Sequence, residues 1–156
     1  MSKAGYTTST EGAVALSAAT AKSILGVNGT SGFGVDLKKF RIAFDGVTAS
    51  AVPALVELGY CTFGANTPGT NSTSTTVDQV YGRSITAGFT AAKNWTTEPT
   101  TITAIDEWLL TPCGGTLFYD FPLGDTPDSA VSNGFVLRVN APATVNVRAT
   151  FWFERC

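Results

Sequence analysis

The sequence holds no histidine among its 156 residues. That absence removes Ser-His-Asp and Cys-His arrangements, imidazole metal sites and the commonest general base. Catalysis would have to rest on carboxylates, lysine, tyrosine or cysteine. Asp106-Glu107, beside Trp108, is the first place to look. Glycoside hydrolysis needs two facing carboxyls, roughly 5 Å apart in retaining enzymes and further apart in inverting ones. Neighbours on a strand point to opposite faces, so these two do not make such a pair. A pair would need Asp120, Glu57 or another distant carboxylate, and solvated or capping acids are the favoured reading. No catalytic residue is assigned, and the chain is expected not to be an enzyme.

Ligand sites fare similarly. "GTSGFG" at 29–34 lacks the Gly-Lys-Ser/Thr ending of a phosphate-binding loop and reads as a turn. Asp125 and Asp128 in "LGDTPDS" offer oxygen ligands for Ca²⁺, but their spacing matches no EF-hand, and Asx-turns account for them better. Cys61, Cys113 and Cys156 are far apart, with no CxxC pair. Their odd number argues against a closed disulfide framework. Cys61 is expected as a small buried hydrophobe and Cys156 as a free terminal thiol. No metal and no cofactor is expected. The Asn-x-Thr triplets at Asn28, Asn71 and Asn94 are chance products of a Thr- and Asn-rich composition. Trp95, Trp108 and Trp152, with Tyr60, Tyr81 and Tyr119, could stack sugars, but core or subunit-interface roles are favoured.

The elements that must position these residues are strands. "KFRIAFDG" alternates Phe40, Ile42 and Phe44 with Lys39, Arg41, Ala43 and Asp45, and Asp45-Gly46 closes it. "VPALVELGYCTF" puts Val52, Ala54, Val56, Leu58 and Tyr60 on one face. "TLFYDF" groups Leu117, Tyr119 and Phe121, and "FVLRVN" groups Phe135, Leu137 and Val139. "AKSILGV" fits a strand or one helical turn, and "AIDEWLL" a two-faced strand or a helix. Pro112 and Gly114-Gly115 end the latter, "VYGRSI" is a short strand, and residues 64–76 and "AAKNWTTEPT" read as loops. In "VNVRATFWFERC", Val145, Val147, Ala149, Phe151 and Phe153 face one way. Trp152 and Arg148 face the other, which makes them candidate subunit-interface residues.

The pattern predicts an all-β, jelly-roll-like antiparallel β-sandwich of roughly eight strands. An immunoglobulin-like sandwich is the second choice, since the Cys…Trp…Cys order falls at unsuitable positions. Residues 1–20 are expected as an extended N-terminal arm that becomes a strand only where it docks. Residues 21–156 form the single sandwich domain. Hydrophobic content is 44% and charged content 14%, below the roughly 25% typical of soluble domains, so polar uncharged residues or a partner must cover much of the surface. Net charge is −2 without a basic run, which argues against nucleic acid. No apolar stretch approaches the ~20 residues of a membrane-spanning helix. The polar start predicts no signal peptide and a cytoplasmic site of synthesis.

Several stretches together are similar to known proteins: "FGVDLKKFRIAFDGVTASAVPALVELGYCTFGANTPGTNSTS", "VYGR", "AAKNWTTEPT" and "VRATFWFERC". From about Phe33 onward the chain resembles a family of small virion structural proteins of tailed phages, notably phages of actinobacteria. The resemblance implies a jelly-roll capsid decoration protein. It implies a homotrimer on the virion surface with the major capsid protein as partner, and it transfers no catalytic motif. A virion carbohydrate-binding or host-adhesion module is the alternative. A carboxylate-dependent hydrolase using Asp106, Glu107 or Asp120 is the weakest reading.

Overall fold

The described residues form twelve strands, and the alternation of the last one sets the architecture. The structure is a computed structural model that describes residues 4–45, 52–112 and 116–156. The strands are β1 (Gly5–Ser9), β2 (Val14–Leu16), β3 (Ala21–Asn28), β4 (Val35–Asp45), β5 (Ala54–Thr62) and β6 (Thr73–Thr75). They continue with β7 (Asp78–Tyr81), β8 (Thr90–Lys93), β9 (Thr101–Leu110), β10 (Thr116–Asp120), β11 (Gly134–Asn140) and β12 (Val145–Arg155). Sheet A runs β10-β4-β12-β1-β7, with β2 also on β12, and sheet B runs β6-β8-β3-β11-β5-β9. All pairings are antiparallel.

The topology is that of a jelly roll. β1 and β2 act as one interrupted strand along β12. With that pair counted once, and β6, β7 and β8 set aside, eight strands remain. The first pairs with the eighth, the second (β3) with the seventh (β11), the third (β4) with the sixth (β10), and the fourth (β5) with the fifth (β9). This is one long antiparallel ribbon rolled into two sheets. β6, β7 and β8 all belong to the connection between β5 and β9. β7 extends sheet A beyond β1, while β8 and β6 extend sheet B beyond β3.

Two expectations are corrected here. The arm expected over residues 1–20 is part of the sandwich: β1 and β2 are laddered to β12, and Tyr6, Val14 and Leu16 are buried in the core. The weak Val14/Leu16 alternation was a real strand signal, and polar Thr8 hid the other one. Thr8 is buried because its hydroxyl pairs with Thr75 Oγ1 at 2.8 Å and donates to the Thr76 carbonyl at 2.9 Å. The stretches expected as loops at 64–76 and "AAKNWTTEPT" contain β6 and β8, which pair with each other. "AKSILGV" and "AIDEWLL" are both strands. The Asp45-Gly46 turn, Cys113 and Gly114-Gly115 lie outside the described residues.

The main core lies between the sheets. Phe40 and Ile42 of β4, Phe151 and Phe153 of β12, Leu25 and Val27 of β3, and Phe135 and Leu137 of β11 are all fully or almost fully buried. A second cluster of Cys61, Phe63, Ala92, Trp95 and Val136 sits apart from the main core. Trp95 lies on Gly26, whose missing side chain leaves room for the ring: a Cβ there would come within 2.8 Å of the indole. The loop is tied down by the indole N–H, which donates to the Asn66 carbonyl at 2.9 Å, and by Asn66 Nδ2, which donates to the Glu98 carbonyl at 2.9 Å. Glu98 in turn accepts from the Ser23 amide at 2.9 Å and from the Ser23 hydroxyl.

Phe151→Ala should lower unfolding free energy by about 3–5 kcal/mol, because it empties a fully buried aromatic site on the central strand. Gly26→Ala should cost about 1–3 kcal/mol by overpacking and should open Trp95 to a fluorescence quencher. Urea midpoints check both. A Phe151→Ala protein as stable as the original would refute the central role given to β12.

Candidate aromatic and cationic face on sheet A

The outer face of sheet A is built by two aromatics that fall out of phase with the core. Phe118 lies between Leu117 and Tyr119 on β10, and Trp152 lies between Phe151 and Phe153 on β12. Strand alternation turns both away from the core. Phe118 is half exposed and Trp152 half-buried. Their rings meet edge to face with centroids 5.9 Å apart. β4 runs between these strands and supplies the cations. Lys39 Nζ sits 5.2 Å from the Trp152 centroid and 5.6 Å from that of Phe118. The Arg41 guanidinium is 5.7 Å from the Trp152 centroid. Such contacts are worth about 0.5–1 kcal/mol each at exposed sites, which offsets part of the rotamer entropy of the two cations.

A β-bulge doubles the lysines on this face. Trp152 stands opposite Lys39 and Phe153 opposite Leu37, so Lys38 is the extra residue of β4. The bulge lets Leu37 and Phe40 both stay in the core while Lys38 and Lys39 leave it. Lys38 Nζ pairs with Asp36 Oδ2 at 2.6 Å and lies 3.5 Å from Glu154 Oε2. The Tyr81 hydroxyl donates to Glu154 Oε1 at 2.5 Å. Its ring lies across Gly5, where a Cβ would sit 2.2 Å from ring atoms. A cavity of about 240 Å³ opens beside Trp152, lined by Lys38, Lys39, Val80, Tyr81, Asp120 and Trp152 among others.

Burial, then the hydrogen bond and charge of Glu154, push the Tyr81 hydroxyl up to about 12. Burial on its own would lower the Lys38 ammonium, but the Asp36 hydrogen bond and charge, with Glu154 behind them, hold it above the usual lysine value. On the other sheet, burial and then the charge of Glu98 push the Cys61 thiol up to about 12. That thiol is protonated, and hence a poor nucleophile, at neutral pH.

Both interface candidates from the sequence lie on this face. Trp152 is at its centre. Arg148 is exposed opposite Ala43, while the cations over the indole are Lys39 and Arg41. Sequence reasoning missed Phe118, Lys39 and Arg41 as partners of Trp152, because strand order decides which polar faces adjoin. The other candidates are dispersed. Trp95 is buried, and Trp108 packs on Phe40 and Tyr119. Asp106 and Glu107 are exposed on sheet B, where Asp106 Oδ1 accepts the Glu107 amide at 2.8 Å, while Asp120 is on sheet A. Glu57 is paired to Arg138 at 2.6 Å. The Asp128 backbone forms an isolated β-bridge with that of Asp36, and the Asp125 amide closes a turn on the Pro122 carbonyl. Among the described residues, no three of His, Cys, Asp and Glu gather where they could hold a metal ion.

Fold and site together define a class: an antiparallel jelly-roll β-sandwich with a preassembled aromatic and cationic patch on one sheet. No family model, no curated protein and no solved structure matches the chain.

Tyr81 and Lys38 both have folded values above their unfolded ones, so their contribution to stability is complete below pH 10; that of Tyr81 is lost as pH rises from 10 towards 12, and that of Lys38 as pH rises past the ordinary lysine value. Cys61 acts in the same direction. Tyr81→Phe should therefore decline less steeply in stability between pH 10 and 12 than the unaltered protein. Parallel curves in chemical denaturation at several pH values would count against the Tyr81–Glu154 bond.

Proposed function

We propose that this chain is a structural protein of a tailed-phage virion, a decoration (cement) protein that binds and stabilises the assembled head as a homotrimer. In this reading it is made in the host cytoplasm and ends on the capsid surface. Its partners are its own copies and the major capsid protein, and it does no catalysis. The observation that carries the reading is the sheet A face. Half-open aromatics beside an arginine are residue types enriched at protein interfaces and their hot spots, and the ring contacts of Lys39 and Arg41 offset part of the cost of ordering them. The resemblance over most of the chain from Phe33 supplies the virion context.

The carbohydrate-binding alternative is weaker on the same surface. Trp95 is not exposed, and Lys39 and Arg41 lie against the Trp152 ring that a sugar would need.

Purified protein should co-sediment with heads lacking it and raise their rupture temperature. Trp152→Ala should weaken self-association or head binding by at least about tenfold, as expected of a truncated anchor, while keeping the fold. Cryo-electron microscopy of the virion decides location, and density confined to the tail would end the head assignment.

A further inference from the structure

We infer that residues 82–88 form a strap that opens as a unit, and that side chains of β1 and β12 are the catches that hold it shut. This goes beyond the virion reading and does not depend on it.

The strap crosses from one sheet to the other. β7 ends at Tyr81 in sheet A and β8 begins at Thr90 in sheet B. Between them "GRSITAG" has no regular structure and is bounded by glycines of positive φ, 97° at Gly82 and 76° at Gly88. Glycine adopts that backbone without strain, and positions at the ends of elements absorb the rotations of a hinge. Among the described residues, none of residues 82–88 makes a backbone–backbone hydrogen bond. Side chains from three strands tie the strap down instead. Gln79 of β7 donates to the Arg83 carbonyl at 2.8 Å and accepts the Ile85 amide at 3.2 Å. The Tyr6 hydroxyl of β1 donates to the Ile85 carbonyl at 3.2 Å. Arg155, at the end of β12, donates to the carbonyls of Thr86 and Ala87, the latter at 2.8 Å. The same guanidinium lies 4.5 Å from the Phe33 ring centroid.

The strap lies against the aromatic end of the core. Phe89 meets Phe33, Tyr6 and Phe153 with ring centroids 5.0, 5.5 and 4.8 Å apart. Ala87 packs on this core, and a Cβ on Gly88 would come within 3.0 Å of the Phe33 ring. A cleft of about 390 Å³ opens beside the strap, lined by Thr86, Ala87, Gly88, Val77, Phe89 and Ala91 among others. Release of the strap widens that cleft and wets one side of the aromatic cluster.

Opening is cheap compared with unfolding. It breaks side-chain bonds to carbonyls of a largely exposed segment, where water takes the place of the lost donors, and it leaves every ladder intact. Segments with few buried contacts open at free energies far below that of the whole fold. Tyr6 stands opposite Phe153 in the β1–β12 ladder, and Arg155 is two residues further along β12. Fraying of that one pairing therefore frees two of the three catches, and the strap stays closed while sheet A is complete.

Limited digestion of the full chain with trypsin tests this. Among the described residues, Arg83 is the one Lys or Arg outside every strand, so its cut reads the strap. Tyr6→Phe, which loses the hydroxyl and keeps the ring, should speed cleavage at Arg83–Ser84 about two- to tenfold. Arg155→Gln should speed it by at least about tenfold, since it removes a charged donor. Cuts within strands, at Lys22 and Lys93, should stay slow in both variants. Circular dichroism checks that each is folded. Cleavage at Arg83 that neither folded variant accelerates overturns the proposal, because the cut then needs no opening. A parallel rise at Lys22 and Lys93 also overturns it, by showing that the whole sandwich unfolds in place of the strap.

Discussion

The structure depends on one hydrogen-bonded constraint: β12 is laddered on both sides. β4 runs along one side of it from Val35 to Asp45, and β1 and β2 share the other. The strands nearest the two ends of the sequence are therefore neighbours in space. Every other pairing of the eight-strand roll nests inside this one, as successive turns of the same ribbon. Phe151 and Phe153 reach the core only because β12 is central, and Trp152 reaches the outside for the same reason. The core and the candidate site are thus two faces of a single strand.

The two sheets treat their outer faces differently, and that difference concentrates the chemistry. Sheet B has small residues at Gly26 and Ala92, and Trp95 packs over them. Sheet A leaves its outer face open and lines it with long side chains. The Lys38 bulge is the local device behind this. It absorbs one residue, keeps Leu37 and Phe40 in the core, and sends two consecutive lysines outward. One lysine neutralises part of the Asp36–Glu154 pair of acids, and the other joins the rings. A chain with only 14% charged residues gathers several of them in one place.

Much of the fold was legible from period-two alternation, because half-buried strands write their core face into the sequence. Phe40/Ile42, Phe135/Leu137 and Phe151/Phe153 were read this way, and so was the eight-strand roll. β1 was not legible, since its inward residues include Thr8, a polar group buried only because distant Thr75 and Thr76 satisfy it. β6 and β8 were missed because they are short and rich in Thr, Ser and Ala, and because β8 is held by remote β3 on one side and β6 on the other. The site was half legible. Trp152 stood out as an aromatic breaking phase, and Phe118 carried the same signal unnoticed. That the two are neighbours follows from β4 pairing with both β10 and β12, a long-range fact that no local pattern encodes.

The position of β12 also orders events in time. β4, β1 and β2 are made well before it, and until it arrives sheet A has an empty slot one strand wide. Its walls are two unsatisfied ladders, with Tyr6, Leu16, Phe40 and Ile42 bared beside them. Pairing partners so remote in sequence close slowly. The slot is also indifferent to which chain fills it, because a β12 from another molecule carries the same residues in the same register. Crowded nascent copies can therefore exchange final strands, and the fold that results is locally identical to the correct one. The feature that seals the finished sandwich is, during assembly, its point of greatest exposure to strand exchange.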